Sequence, residues 1–378
     1  MSDETLTPPS KDRPILDYPC GEAPAPGMAS EVAPGVLWIR MPMPLGLNHI
    51  NLWALRDDNG WAAVDAGLQT SDTAAAWRKL FADDGAMAQS RLTRLFATHM
   101  HPDHIGMAGW LTHKFGCRLW MTRLEYLMCR VLAADSGRGA PDDGVRFYQR
   151  AGWDNDAIET YRARFGGFGK FVHALPDSYR RLHDGELLDI GGRQWQVVIG
   201  NGHSPEHACF YCPELKLLIS GDQVLPRISS NVSVFPTEPD ADPMADWLSS
   251  LNKLRQLIPD DVLVLPAHNE PFRGLHARLE YLTRSQHTAL DRLRRALVQP
   301  KRAVDVFEQL FSRPIGSEPA LLGMATGESI AHLNYLVHRG EAEKELAPDG
   351  CTWYQLKQHD IAKPLPLSCG NWNPDKAH

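Results

Sequence analysis

Short apolar runs separated by amphipathic stretches dominate the first two thirds of the chain. Residues 36–40, 51–55 and 61–65 combine the length of a strand with apolar or β-branched side chains. Further apolar runs at 92–97 and 117–121 are joined to their neighbours by stretches in which apolar residues recur at helical spacing. This alternation predicts an α/β domain with buried sheets.

The same pattern continues towards the middle of the chain. Two hairpins are predicted at residues 188–199 and 208–220, and a last strand is predicted at 262–265. Ser71 is expected to cap an early helix, and Asp242, followed directly by proline, is typical of a later helix start.

Changes in this pattern divide the chain into four parts. Residues 1–33 are rich in Pro, Ser and charge and predict an extended arm. The strands and helices above occupy residues 34–275. Residues 276–360 change to three helices and a hairpin, which predicts a small, mainly helical C-terminal domain with the order of a winged helix. Residues 361–378 predict an irregular tail.

A winged helix raises the question of nucleic-acid binding. Basic and acidic residues nearly balance from His276 onward, and a DNA-binding domain is normally basic. We therefore expect no nucleic-acid partner. A lid over the site and a homodimer contact are the two roles that stay open for this domain.

Composition narrows the class of protein further. The chain has 378 residues, 43% of them hydrophobic, and a net charge of −7. It contains no apolar run of membrane-spanning length, and its acidic start lacks the features of a signal peptide. Seven cysteines without regular spacing fit reduced thiols. These features predict a cytoplasmic protein that is not bound to a membrane.

The densest chemical signal is His-x-His-x-Asp-His at residues 99–104, directly after the apolar run 92–97. Imidazole and carboxylate together suit zinc, manganese or iron. Alternate residues leaving a strand point the same way, so His99 and His101 are expected to share one metal. Asp103 and His104 are then directed towards a second metal. Asp103 also stands where a helix N-cap is expected.

This motif resembles the metal loop of the metallo-β-lactamase superfamily. The family's remaining ligands should follow in order, each at the end of a strand. His203, Asp222 and His268 occupy such positions here, and the resemblance covers approximately residues 34–275. It implies an αββα sandwich carrying a helical insertion and the small C-terminal domain.

The resemblance also implies the role of each ligand. His99, His101 and His203 would hold one metal, Asp103, His104 and His268 the second, and Asp222 would bridge them. Two zinc ions are expected, with iron or manganese as the alternative, and Asp103 and Asp222 are the expected catalytic residues.

Three further residues are singled out by the resemblance. Asp65, in a Val-Asp-Ala-Gly sequence, would orient a ligand imidazole without binding metal. His207 is interpreted as supporting the site or as structural. Glu206 stands where many relatives have glycine, which leaves the conformation of this loop open.

Residues 123–181 interrupt the alternation of strands and helices. They are rich in aromatic and basic side chains and lie between two ligand-bearing segments. One interpretation is a helical insertion that forms a lid and shapes the substrate pocket, and the other is a packing subdomain. As a lid it would offer four arginines to an anionic substrate: Arg146, Arg150, Arg162 and Arg164.

The resulting hypothesis is a dinuclear metallohydrolase acting on a small molecule. A metal-bridging hydroxide would attack an ester, thioester or lactone bond, and glyoxalase II-like thioester hydrolysis fits the ligand set. Two alternatives on the same fold stay open: a phosphodiesterase or nuclease, and an oxidoreductase like the mononuclear iron persulfide dioxygenases.

Overall fold

The computed structural model describes residues 13–44 and 46–357. The beginning of the predicted arm and the predicted tail at 361–378 lie outside the described residues. A seven-stranded sheet follows the chain in order, with these strands: β1 (Ala29–Ala33), β2 (Val36–Pro42), β3 (His49–Asp57), β4 (Gly60–Val64), β5 (Leu92–Phe96), β6 (Arg118–Met121) and β7 (Arg180–Arg181).

A second, five-stranded sheet faces the first. Its strands along the chain are β8 (Leu187–Ile190), β9 (Arg193–Gly200), β10 (His207–Cys212), β11 (Leu217–Gly221) and β12 (Leu263–Pro266), arranged in the order β12-β11-β10-β9-β8. The aromatic rings of Trp38, Trp53, Phe96 and Phe210 lie in the core between the sheets.

Helices cover the outer faces of both sheets. The α-helices of the described residues are α1 (Ser71–Leu80), α2 (Pro102–Ile105), α3 (Ala108–Phe115), α4 (Arg123–Ala134), α5 (Asp142–Ala151), α6 (Asn155–Arg164), α7 (Pro243–Leu257), α8 (Leu275–Ala296), α9 (Phe307–Leu310) and α10 (Pro319–His338). Helices α1 and α3 pack on the first sheet, and α7 and α8 pack on the second. The predicted α/β sandwich is confirmed.

Strand β1 lies within the segment predicted to be an extended arm. It pairs antiparallel with β2, with Ala29 opposite Ile39. The unpaired edge of β2 supplies the hydrogen-bonding partners, which the arm's own sequence does not reveal.

Two predicted helix caps are wrong. Thr70, not Ser71, caps α1, because the Thr70 side chain accepts a hydrogen bond from the Thr73 amide. Asp103 lies inside the first turn of α2, which begins at Pro102, and His101 occupies the N-cap position. The Asp103 side chain is therefore available to the candidate site.

The C-terminal part contains helices and a hairpin in the predicted order. Helix α8 is followed by a 3-10 turn at Ala303–Val306, by α9 and by α10, and the hairpin consists of β13 (Ala342–Leu346) and β14 (Thr352–Leu356). One buried core continues from the second sheet into these helices. Within residues 13–44 and 46–357, no helix is both long and apolar enough to cross a membrane.

Candidate metal centre

The ends of four strands bring the candidate ligands to one edge of the sandwich. In the first sheet β4 and β5 are parallel. In the second sheet β10 is antiparallel to both β9 and β11, and β11 is parallel to β12. The segments after β5, β9, β11 and β12 therefore leave at the same edge, and they carry all seven predicted ligands.

The first group of potential ligands consists of His99, His101, His203 and Asp222, whose ligand atoms lie within 4.8 Å of one another. His99 Nε2 lies 2.8 Å from His101 Nδ1 and 3.3 Å from His203 Nε2. Three imidazoles thus direct nitrogens at one point.

The second group consists of Asp103, His104 and His268. Asp103 Oδ2 lies 3.6 Å from His104 Nε2 and 3.4 Å from His268 Nε2. Nitrogen and oxygen atoms at these spacings leave room for a cation between them.

Asp222 lies between the two groups. Its Oδ2 is 3.5 Å from His203 Nε2 in the first group and 3.4 Å from His104 Nε2 in the second. Its Oδ1 is 3.5 Å from His268 Nε2. One carboxylate therefore faces both groups.

The charge environment of the two groups differs. Burial, with His203 adding to it, lowers the pKa of His101 to about 3, and burial likewise holds the pKa of His99 well below its usual range. Both imidazoles are therefore neutral, the form that binds metal.

In the second group the carboxylates act in the opposite direction. Burial alone would lower the pKa of His104, but Asp103 and Asp222 outweigh burial and raise this pKa well above its usual range. Burial would raise the pKa of Asp222, but His268 and His104 hold it well below its usual range. Buried carboxylates that favour a proton on His104 would equally favour a metal cation in its place.

The fit of these residues to metal can be judged from their unsatisfied atoms. His104 Nε2 and Asp222 Oδ1 are buried without a hydrogen-bond partner in the part of the chain that the structure describes. Buried polar atoms normally have partners, so both atoms fit metal coordination.

A hydrogen bond on the far side of the ring orients several ligand imidazoles. His203 Nδ1 donates to the Asn231 carbonyl at 2.8 Å, and His268 Nδ1 donates to the His49 carbonyl at 3.1 Å. Each bond places the proton on Nδ1 and leaves Nε2 free to face the site.

Asp65 has the contacts expected of a residue that supports the ligand loop. Its Oδ2 accepts from His104 Nδ1 at 2.7 Å and from the Thr98 hydroxyl at 2.9 Å, and its Oδ1 accepts from the Thr98 amide at 2.7 Å. The residue has a positive φ of 66°, a strained conformation that places its carboxylate beneath the loop.

His207 supports Asp222 through the backbone. Its Nε2 accepts from the Asp222 amide at 3.1 Å, and the ring is fully buried. A Cβ added at Gly221 would lie 2.5 Å from His207 Nε2, so glycine is required beside this ring. His207 thus fixes the start of the Asp222 loop.

Glu125 is a residue that the sequence analysis missed. Its Oε2 accepts from the Met100 amide at 2.9 Å, and its Oε1 accepts from the Glu206 amide at 2.8 Å. Met100 separates His99 from His101, so this carboxyl joins two ligand loops. The unusual Glu206 was the signal available in the sequence. Its side chain contacts the helix that carries Glu125, because Glu206 Oε2 accepts from the Leu124 amide at 2.9 Å.

Comparison with known families identifies the domain. The family described as Metallo-beta-lactamase superfamily matches residues 45–268. The chain belongs to the metallo-β-lactamase superfamily. A further family, described as Metallo-beta-lactamase-like, C-terminal domain, matches residues 290–357.

Individual proteins that are similar to this chain agree with the family assignment. A solved β-lactamase domain protein from Burkholderia ambifaria is 38% identical with a TM-score of 0.81, covering 90% of this chain and 98% of that one. Acyl-coenzyme A thioesterase MBLAC2 of Gallus gallus is 27% identical over 244 residues, 63% of this chain and 79% of that protein. A hydroxyacylglutathione hydrolase of Roseobacter denitrificans is 28% identical over 113 residues, 30% of this chain and 41% of that protein. This superfamily member is a metallohydrolase.

A cavity of about 1000 Å³ reaches the site of this metallohydrolase. Met100, His203 and Ser204 form its wall at the ligand loops, and its remaining walls come from segment 123–181, residues 235–240 and the C-terminal part. Its other larger apolar and aromatic lining residues are Met128, Leu132, Phe147, Tyr148, Tyr161, Phe165, Phe235, Ile330, Leu346 and Tyr354.

Proposed function

We propose that this metallohydrolase cleaves acyl thioesters with two metal ions, and that zinc is the preferred ion because imidazole and carboxylate ligands suit it. The same ligands accept iron or manganese. The ligands would be His99, His101 and His203 on the first ion, Asp103, His104 and His268 on the second, and Asp222 between them.

When bound, the two ions would polarise the substrate carbonyl and lower the pKa of a water molecule towards neutrality. The chain's own carboxylates orient that water. Burial would raise the pKa of Asp103, but His104 and His268 outweigh burial and lower it to about 2, which keeps Asp103 ionised. We assign to Asp103 and Asp222 the catalytic role of accepting hydrogen bonds from the attacking water.

The main observation in favour of an acyl substrate is the apolar cavity, which ends at Met100 and His203. Its volume is at the upper end of the range for small-molecule pockets, about 300 to 1000 Å³. Apolar walls favour an acyl chain, because each buried methylene contributes about 0.8 kcal/mol. The similarity to an acyl-coenzyme A thioesterase supports the same substrate class.

Two features favour hydrolysis of a thioester over the alternatives. A mononuclear iron oxidoreductase would need only one ion, whereas the unsatisfied His104 Nε2 and Asp222 Oδ1 are explained by a second one. A phosphodiesterase would benefit from cationic side chains next to the ligands, whereas the lining residues adjacent to the ligands in the chain are Met100, Ser204 and Pro205. The cationic lining residues Arg146, Arg150 and Lys344 come from other segments.

The test is a hydrolysis screen of protein loaded with zinc, manganese or iron. Its substrates are acyl-coenzyme A thioesters of increasing chain length, lactones and an aryl phosphodiester. We expect kcat/KM for thioesters to rise by up to about fourfold per methylene until the cavity is full. Faster cleavage of the phosphodiester, or rates independent of acyl length, would contradict the proposal.

A pair of variants separates the site from general stability. Asp222→Asn should lose thioester hydrolysis, because it replaces the carboxylate that faces both groups of ligands with an uncharged amide. Asp57→Asn changes an equally buried aspartate that contacts Thr93 and Arg94 away from the site, and this control should keep its metal content and its activity.

A further inference from the structure

A segment of the chain joins the metal centre to the C-terminal helix α10. The Val234 amide donates to the Gly327 carbonyl at 3.0 Å, and the Ser233 hydroxyl lies 3.4 Å from the Met324 carbonyl. A Cβ added at Gly327 would lie 2.7 Å from Ser233 Oγ and 2.9 Å from the Val234 carbonyl oxygen. The segment and the helix are therefore packed without space between them.

Asn231 forms the polar part of this junction. Its backbone carbonyl accepts the 2.8 Å bond from His203 Nδ1. Its side-chain Nδ2 donates to Glu328 Oε2 at 2.8 Å, and its Oδ1 accepts from the Ser233 hydroxyl at 2.5 Å. Two hydrogen bonds, joined through the covalent structure of Asn231, thus connect a carboxyl on α10 to an imidazole of the site.

A purely structural role does not account for Glu328. The residue is 5% exposed, and burial raises the pKa of its carboxyl to about 7. Burying a carboxyl in a helix interface is unfavourable relative to an apolar side chain of similar size. Its hydrogen bond to Asn231 is the contact that an apolar residue would not provide.

We propose that Glu328 is a positioning residue of the metal centre: through Asn231 it holds His203 with Nδ1 protonated and Nε2 directed at His99 and Asp222. The inference rests on the proposed metal-binding role of His203. Groups that hydrogen-bond a ligand directly typically contribute about 10- to 100-fold to metal affinity. Glu328 acts on such a group, the Asn231 carbonyl, through one further contact. The C-terminal part would then contribute to the metal centre as well as to the cavity wall.

Metal binding, measured by chelator competition with zinc on the full-length protein, tests this role independently of hydrolysis. Glu328→Leu removes the acceptor for Asn231 and should raise one zinc dissociation constant by about 10-fold, the lower end of the range for groups that bond a ligand directly. Glu328→Gln keeps an acceptor oxygen for Asn231 and should restore wild-type affinity. The absorption spectrum of bound cobalt should change in Glu328→Leu and be restored in Glu328→Gln.

Asn334→Ala is the matched control on the same helix. Asn334 is equally buried and donates to the Pro239 and Ala241 carbonyls at 3.0 and 2.9 Å, contacts that do not include His203. It should lower the melting temperature and leave the metal dissociation constants unchanged.

Wild-type metal affinity in Glu328→Leu, or equal weakening in Asn334→Ala, would overturn the positioning role. Asn231→Ala provides the same test at a partly exposed position if Glu328→Leu does not fold, because it removes the side-chain donor and keeps the backbone carbonyl. A wild-type protein that binds zinc and does not cleave thioesters would contradict the proposed function and leave this inference standing.

Discussion

At the scale of single residues, hydrogen bonds on the outer side of the imidazoles orient the candidate ligands. Asp65 holds His104, the Asn231 carbonyl holds His203, and the His49 carbonyl holds His268. Each of these bonds reduces the conformational freedom that an imidazole would lose on binding a cation.

The two aspartates closest to His104 are expected to contribute unequally. Asp222→Ala removes the carboxylate between both groups, whereas Asp65→Ala removes an orienting contact whose loss typically reduces activity by about 10- to 100-fold. We expect the lower kcat/KM for Asp222→Ala, measured with a thioester at saturating zinc. Equal rates for wild type and Asp222→Ala would exclude Asp222 from the site.

Asp57 provides a prediction about stability. Burial would raise its pKa, but hydrogen bonds from Arg94 and Thr93 outweigh burial and lower the pKa below its usual range. A carboxylate with a depressed folded-state pKa stabilises the protein above its unfolded-state pKa, about 3.9, and this contribution is lost as pH falls through the folded-state pKa. Asp57→Asn should lower the free energy of unfolding near neutral pH by about 1.5 to 3 kcal/mol, the typical contribution of hydrogen bonds to a charged group.

Urea unfolding of both proteins across the acid range checks this sign. The difference between wild type and Asp57→Asn should be constant near neutral pH and shrink as the carboxylate of wild type becomes protonated. A difference that grows towards acid would contradict the assignment.

How far the sequence predicts this site depends on whether a contact is local. The seven candidate ligands were predictable because a compact motif and strand ends specify where they lie. Glu125 was not predictable, because its partners Met100 and Glu206 are distant in the chain and no sequence pattern connects the three positions. Asn231 was missed for a similar reason: its role depends on a helix almost a hundred residues later.

At the scale of elements, segment 123–181 contributes helices α4, α5 and α6, and parts of all three line the cavity. Arg146 and Arg150 line it, although Arg146 also pairs with Asp143 at 2.6 Å. Arg162 pairs with Glu159 at 3.3 Å and is not among the lining residues. The four arginines singled out in the sequence are thus not equivalent, and the lid interpretation, which stays a prediction, concerns the first two.

Arg150 is expected to affect substrates that carry phosphate. Arg150→Ala should raise KM for an acyl-coenzyme A more than for the neutral N-acetylcysteamine thioester of the same acyl group, because only the former offers phosphates to the guanidinium. Arg162→Ala, in the same segment and away from the cavity, is the control. An equal effect of both variants on KM would favour the packing interpretation of this segment.

At the scale of the whole molecule, the core of the second sheet continues into α8 and α10, and the same C-terminal part supplies Ile330 and Tyr354 to the cavity. Site and C-terminal part therefore share one packed unit. The division into domains at 275 and 276 remains a prediction, because a sequence pattern records where elements change and not where packing ends.

Metal binding should therefore stabilise the entire fold. A ligand present at about a thousand times its dissociation constant adds about 4 kcal/mol to the free energy of unfolding. We expect zinc to raise the melting temperature by several degrees in calorimetry, and the rise to diminish towards acid pH because protons compete for the imidazoles. Asp222→Asn should lose most of this shift, and Asp57→Asn should retain it.

Glu125 and Glu206 each bond the backbone beside the other, which limits how segments of this enzyme can be replaced by those of a relative. The first accepts from the Glu206 amide and the second from the Leu124 amide, so each side chain satisfies the backbone beside the other. A chimera that imports residues 123–181 from another member without residue 206 would separate the pair. We therefore expect substitutions at positions 125 and 206 to have non-additive effects. A chimera should take both positions from the same parent protein.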